Sequence, residues 1–158
     1  MFDTKIAVVI RDDLATWQKL NVTAFLTSGI VGANAGLLGE LYIDSAGHRY
    51  HAPIVQPLIV LSAGRDLIKT IYSRAMQSDV GLSIHIEEMF ATGNDAANRA
   101  AVHQYGPEQL KRVGLALRED RSWWTASSKV RACTRSPCLN RSSTHIILAR
   151  TKQCRPAR

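Results

Sequence analysis

The sequence predicts an α/β domain of three layers (α/β/α), with helices on both faces of a small mixed sheet of about four strands. Three observations carry this. Near-continuous apolar runs at Thr4–Arg11 and Leu58–Leu61 have the pattern of strands buried on both faces. Helical apolar spacing lies between and after them, over Leu14–Gly36 and again over residues 65–79. A third run, with Leu82, Ile84 and Ile86, alternates as a strand does. Strand, helix, strand in succession implies parallel strands joined by right-handed crossovers.

Taken in order, Thr4–Arg11 ends at Arg11-Asp12-Asp13, and Asp12 or Asp13 offers an N-cap to the next helix. That helix repeats Leu14, Trp17, Leu20, Val22, Phe25, Leu26 and Ile30 at three- and four-residue spacing, and Trp17 reads as core. Gly29, Gly32 and Gly36 weaken the pattern, so its break is expected within 29–39. Glu40–Asp44 and His48–His51 flank Ser-Ala-Gly as a short hairpin. Pro53 and Pro57 then bracket the approach to Leu58–Leu61. Gly64-Arg-Asp-Leu opens the clearest helix, with Leu67, Ile68, Ile71, Tyr72 and Ala75 on one side. The strand over 81–87 runs into Glu87, Glu88 and a Thr92-Gly-Asn-Asp turn, and an Ala-rich helix starts near Ala96. Lys111–Arg118 supplies the last strand, with Val113, Leu115 and Leu117 alternating.

With 158 residues, 46% of them hydrophobic, the chain is long enough for one domain with its own core. No apolar run approaches the roughly 18–20 residues of a membrane span. Met1-Phe-Asp-Thr-Lys-Ile lacks the basic and apolar regions of a signal peptide, so a cytoplasmic location is expected. The formal charge of +7 is unevenly spread. All 13 acidic residues lie at or before Asp120, whereas residues 122–158 hold 8 Lys and Arg and no acid. The folded part is near neutral, which argues against nucleic acid as a partner.

Residues 1–121 therefore read as a single α/β domain, and 122–158 as a basic, irregular tail. The tail holds Cys133, Cys138 and Cys154, but that spacing is not a standard zinc pattern, and no metal or cofactor is expected. Composition supports a disordered basic arm. The genetic code supports another reading. Ser122-Trp-Trp-Thr, shifted by one base, permits Leu-Val-Asp preceded by Lys, Gln or Glu, and continues as an amphipathic helical turn with a Gly stop. The tail is accordingly expected to be out of frame, to be irregular from residue 122, and to stand where the domain's last helix belongs.

Candidate site residues gather at strand ends and the turns after them. Glu87 and Glu88, as neighbours on a strand, point to opposite faces. Either is a base facing a pocket, a solvated strand end or a salt-bridge partner. Thr92-Gly-Asn-Asp cradles an anion at the helix start, or Asn94 or Asp95 simply caps the helix. Asn98 and Arg99 follow one turn inside, where Arg99 holds a carboxylate or phosphate, or pairs with Glu87 or Glu88. Arg11, Asp12 and Asp13 end the first strand, with Lys19 and Asn21 on the helix beyond. His85 alternates out of the Ile84/Ile86 face and reads as a surface or opposite-face residue. His48 and His51 have no third metal ligand in the sequence pattern. No P-loop, Gly-x-Gly-x-x-Gly or Ser-His-Asp pattern is present.

The segments Lys5–Leu14, Asn21–Leu26 and Glu87–Arg99 resemble a widespread, uncharacterised bacterial family, a domain of unknown function related in fold to type II peptidyl-tRNA hydrolases. The resemblance implies a four-stranded mixed sheet between helices and a homodimer. Arg11, Asp13 and Leu14 match the hydrolases' Arg-x-Asp-Leu, and Lys19 falls near their lysine region, in Trp-Gln-Lys-Leu rather than Lys-Gly-Lys. Ala24, and Thr27 or a near neighbour, stand where their Gln and His would. The expected function is binding of a small anionic ligand or a protein partner. The alternative is a hydrolase-type esterase with a rearranged site.

Overall fold

The computed structural model describes residues 2–126. Thr4–Arg11 forms strand β1, which is flanked by two other strands. It pairs in parallel with β4 (Leu58–Ala63) and antiparallel with β6 (Arg112–Asp120). On its other side β6 pairs antiparallel with β5 (Leu82–Ile86). The order is β4-β1-β6-β5, so β1, β4 and β5 all run the same way and finish at the same end of the sheet.

Helices α1 (Thr16–Ala33) and α2 (Arg65–Gln77) cover the two faces. Val22, Leu26 and Ile30 of α1 pack with Ile6, Val8 and Ile10 of β1. Ile68, Ile71 and Ala75 of α2 pack instead with Val9, Leu115 and Leu117. The two-residue alternation of β1 divides the core in this way. Helix α1 lies close on β6 and β5 because two glycines leave room for it. A Cβ on Gly114 would stand 2.7 Å from Val22 Cγ1, and one on Gly29 2.5 Å from Ser83 Oγ. Gly29 therefore serves close packing inside the helix, which ends four residues later at Ala33.

Neither Asp12 nor Asp13 caps α1. Asp13 is held by Arg11, the N-cap is Ala15, and the Ala15 N–H donates to Gln18 Oε1 at 3.0 Å. Strand β4 also departs from expectation: it is an edge strand, with Ile59 and Val60 about half exposed (45% and 48%). An apolar run reports a liking for extended structure, not how many neighbours the strand will have. The pairing of β5 ends at Ile86 after an irregularity between His85 and Ile86, and Glu87–Ala91 coil into a 3₁₀ turn. Glu87 and Glu88 thus sit on a helical turn and not on alternate faces of a strand. A third helix, α3 (Asp95–His103), follows that turn, capped by Asn94, whose Oδ1 accepts from Ala97 N at 2.9 Å.

The Ser-Ala-Gly hairpin forms as β2 (Tyr42–Ile43) and β3 (Arg49–Tyr50), with Gly47 at φ +89°, a backbone state that favours glycine. At the other end, helix α4 (Arg121–Ala126) occupies the first residues of the expected irregular tail. Trp123 and Trp124, half-buried and edge to face with centroids 5.1 Å apart, pack against the α2-side core. The rest of the tail, with its three cysteines, lies outside the described residues, as does the out-of-frame reading of it. No helix among the described residues is long and apolar enough to cross a membrane.

Candidate functional site

Where β1 and β5 end, at the same end of the sheet with β6 between them, a charged cluster closes the sheet. Arg11, only 7% exposed, donates to Asp13 Oδ1 and to Glu87 Oε1, and Arg65 Nη2 approaches the same Glu87 oxygen at 3.5 Å. Burial works against the Arg11 charge, but the bonds to Glu87 and Asp13 outweigh it and hold the guanidinium above its ordinary pKa. Lys19 Nζ donates to the Asp12 carbonyl at 2.7 Å, and Lys111 Nζ lies 3.5 Å from Glu88 Oε1. These cations are engaged within the chain.

Beside this cluster lies an open-sided cavity of about 830 Å³. One wall is aromatic. Trp17 and Phe25 come from α1, His85 from β5, and Phe90 from the 3₁₀ turn. The other wall is polar, formed by Thr92, Asn94, Asp95, Asn98 and Arg99 at the start of α3. Thr92 Oγ1 donates to Asn98 Oδ1, and Arg99 pairs with Asp95 one turn earlier. The 3₁₀ turn links cluster and cavity: it sends Glu87 to Arg11 and presents Met89 and Phe90 to the opening.

His85 is the chemically distinctive group of the cavity. It is 2% exposed, opposite Gly114 in the ladder and therefore on the α1 face. Its ring meets Phe25 edge-on (centroids 5.8 Å) and Phe90 at a tilt (4.9 Å). Desolvation pushes its pKa below the ordinary value, opposed by the bond from Nδ1–H to the Ile86 carbonyl at 3.1 Å. The ring is thus neutral at pH 7 with the proton on Nδ1. Nε2 is left as an acceptor with no hydrogen-bond partner among the described residues.

Residues 4–129 match the family model of a protein of unknown function, DUF2000. The chain belongs to the DUF2000 family. A solved structure of a protein of unknown function from Agrobacterium tumefaciens is 51% identical, with a TM-score of 0.76. That match covers 78% of this chain and 91% of the other. The chain matches no curated protein. The DUF2000 match runs past residue 121, in keeping with the regular α4 found there.

In this DUF2000 chain the residues singled out from sequence divide into two groups. Arg11, Asp13 and Glu87 meet in the charged cluster, with Asp12, Lys19 and Glu88 bonded or paired nearby. Asn21, Thr92, Asn94, Asp95, Asn98 and Arg99 line the cavity. Arg99 pairs with Asp95 and not with Glu87 or Glu88, which have Arg11 and Lys111 within reach. Trp17 is no core residue: it is 61% exposed, with Phe90 5.7 Å away. His85 is buried and not at the surface, because α1 covers the face it turns to. Phe25, His85, Met89 and Phe90 were missed as site residues. A signal for the wall existed in Trp17, Asn21 and Phe25, spaced by four on a helix whose buried stripe is Val22, Leu26 and Ile30. Among the described residues no group of three His, Cys, Asp or Glu stands close enough to hold a metal.

Proposed function

We propose that this chain binds a small molecule in the cavity between α1, β5 and α3, oriented by a hydrogen bond to His85 Nε2. The observation that carries this is the imidazole itself. A phenyl ring would pack between Phe25 and Phe90 equally well without bringing an unpartnered ring nitrogen to the cavity wall. Trp17, Phe25 and Phe90 suit a flat, largely apolar body, and the 830 Å³ volume falls in the usual range of roughly 300–1,000 Å³ for such sites. An anionic group on the ligand would meet Arg99, the one Lys or Arg of the lining, in competition with Asp95, with which Arg99 pairs. Arg11 and Lys19 are committed elsewhere.

The same imidazole supports a second reading. A neutral histidine with a fixed tautomer is suited to act as a general base, as an esterase of the peptidyl-tRNA hydrolase type with a rearranged site would need.

The test is a titration of the full chain with a panel of heteroaromatic carboxylates, indole-3-carboxylate first, followed by calorimetry and compared with His85→Phe. Saturable binding that weakens about tenfold in the variant is expected, one hydrogen bond's worth. Equal affinity in both proteins removes His85 from the account. Turnover of an activated ester that His85→Phe abolishes would move the second reading ahead of the first.

A further inference from the structure

We infer that the ligand of this cavity is a free aromatic α-amino acid, with an indole ring the best fit, bound as a zwitterion between Asp95 and Arg99. Such a ligand presupposes the role proposed for His85, and the state of that ring narrows the choice. With the Nδ1 proton given to the Ile86 carbonyl, the imidazole offers the cavity a nitrogen that accepts and does not donate. The ligand must therefore bring an N–H or O–H on its flat part. An indole meets this requirement fully, because its N–H donates and the ring has no acceptor to leave unpaired. Trp17 and Phe25, 61% and 49% exposed, supply faces for such a ring to stack on.

The charges of the polar wall select the rest of the molecule. Among the lining residues Asp95 is the one carboxylate and Arg99 the one Lys or Arg, and they pair with each other one turn apart, their side chains 76% and 73% exposed. A simple carboxylate that takes Arg99 leaves Asp95 without its partner and sets a second negative charge beside it. A simple amine does the converse to Arg99. A zwitterion does neither: its carboxylate replaces Asp95 on the guanidinium, its ammonium replaces Arg99 on the carboxylate, and the wall stays neutral. Asn98 adds to the carboxylate side. Its Oδ1 accepts from Thr92 Oγ1, and its Nδ2 hydrogens have no partner among the described residues. His85 is buried and the ion pair exposed, so the ring enters first and the charged α-carbon stays near water. Both charges sit on one carbon only in a free amino acid, since a peptide turns at least one of them into an amide.

Calorimetric titration of the full chain tests this with L-tryptophan, indole-3-propionate, which lacks the ammonium, and tryptamine, which lacks the carboxylate. L-Tryptophan should bind about fivefold more tightly than either, the yield of an exposed ion pair, and the preference should fade as salt is raised. Asp95→Asn should abolish the preference over indole-3-propionate, and Arg99→Gln the preference over tryptamine. Both side chains are exposed, so circular dichroism of each variant should match the parent. His85→Phe should weaken all three ligands alike. If indole-3-propionate or tryptamine binds as tightly as L-tryptophan and His85→Phe weakens it, the zwitterion is overturned and the role of His85 stands. A preference for L-tryptophan that survives both Asp95→Asn and Arg99→Gln also overturns it, by placing the charges elsewhere. Absence of binding by all three overturns it too, and whether the cavity then binds anything is read from the heteroaromatic carboxylates.

Discussion

The rings of His85 and Phe90 lie with centroids 4.9 Å apart, tilted by 41°, although one comes from the last turn-free part of β5 and the other from the 3₁₀ turn beyond it. The contact joins the sheet's edge strand to the segment that carries the cavity's polar wall. It also keeps the imidazole dry, and that has a consequence in pH.

Because the folded-state pKa of His85 lies below its ordinary 6.5, the unfolded chain takes up its proton first as pH falls. The stability that depends on neutral His85 is complete above about pH 6.5 and declines as pH drops toward the folded value. The melting temperature of the parent should therefore fall relative to that of His85→Phe from about pH 7.5 to about pH 5. Ligand affinity should fall over the same range, since protonation turns the Nε2 acceptor into a donor. A parent that instead gains on the variant as pH falls would mean that His85 is charged in the fold.

Trp17→Ala should separate binding from folding. The side chain is 61% exposed, so stability should change by less than about 1 kcal/mol in a denaturant melt. Affinity for an aromatic ligand should drop about tenfold or more. A large stability loss with affinity intact would make Trp17 a packing residue.

Glu87→Gln should do the opposite. It leaves Asp13 as the carboxylate bonded to the buried Arg11 and turns the second bond into one to a neutral amide oxygen, a weakening of about 1–2 kcal/mol. Urea melts should show this, while ligand affinity stays within about twofold. Affinity loss without destabilisation would place Glu87 in the binding site.

Gly114→Ala should destabilise by about 1–3 kcal/mol, because the new methyl meets Val22 Cγ1, Leu26 Cδ1 (3.0 Å) and the Val9 carbonyl (3.2 Å) together. Only the first two can shift. A neutral result would show that α1 rides further from the sheet than described.

The sequence made the elements legible where the signal is local. The apolar run of β1, the helical spacing of α2 and the Asn94 cap of α3 are each written within a few neighbouring residues. What it did not show depends on distant partners. The edge position of β4 follows from β6, some fifty residues later, taking the other side of β1. His85 alternates out of the Ile84/Ile86 face as read, but whether that face meets water or α1 is a tertiary fact. Trp17 looked like core because apolar periodicity cannot tell a core stripe from a cavity wall beside it. The acidic pair was misread for a smaller reason, a strand that stops one residue before Glu87.

The most direct test of the account is long-range proton–nitrogen NMR of the His85 ring in the full chain at about pH 7, alone and with indole-3-carboxylate. The account predicts a neutral ring with the proton on Nδ1 and an unprotonated Nε2 in the free protein. It predicts that the Nε2 resonance moves toward the hydrogen-bonded range as ligand is added and is the most perturbed imidazole nitrogen of the chain. An imidazolium, a proton on Nε2, or a bound ligand that leaves this resonance where it was would contradict it.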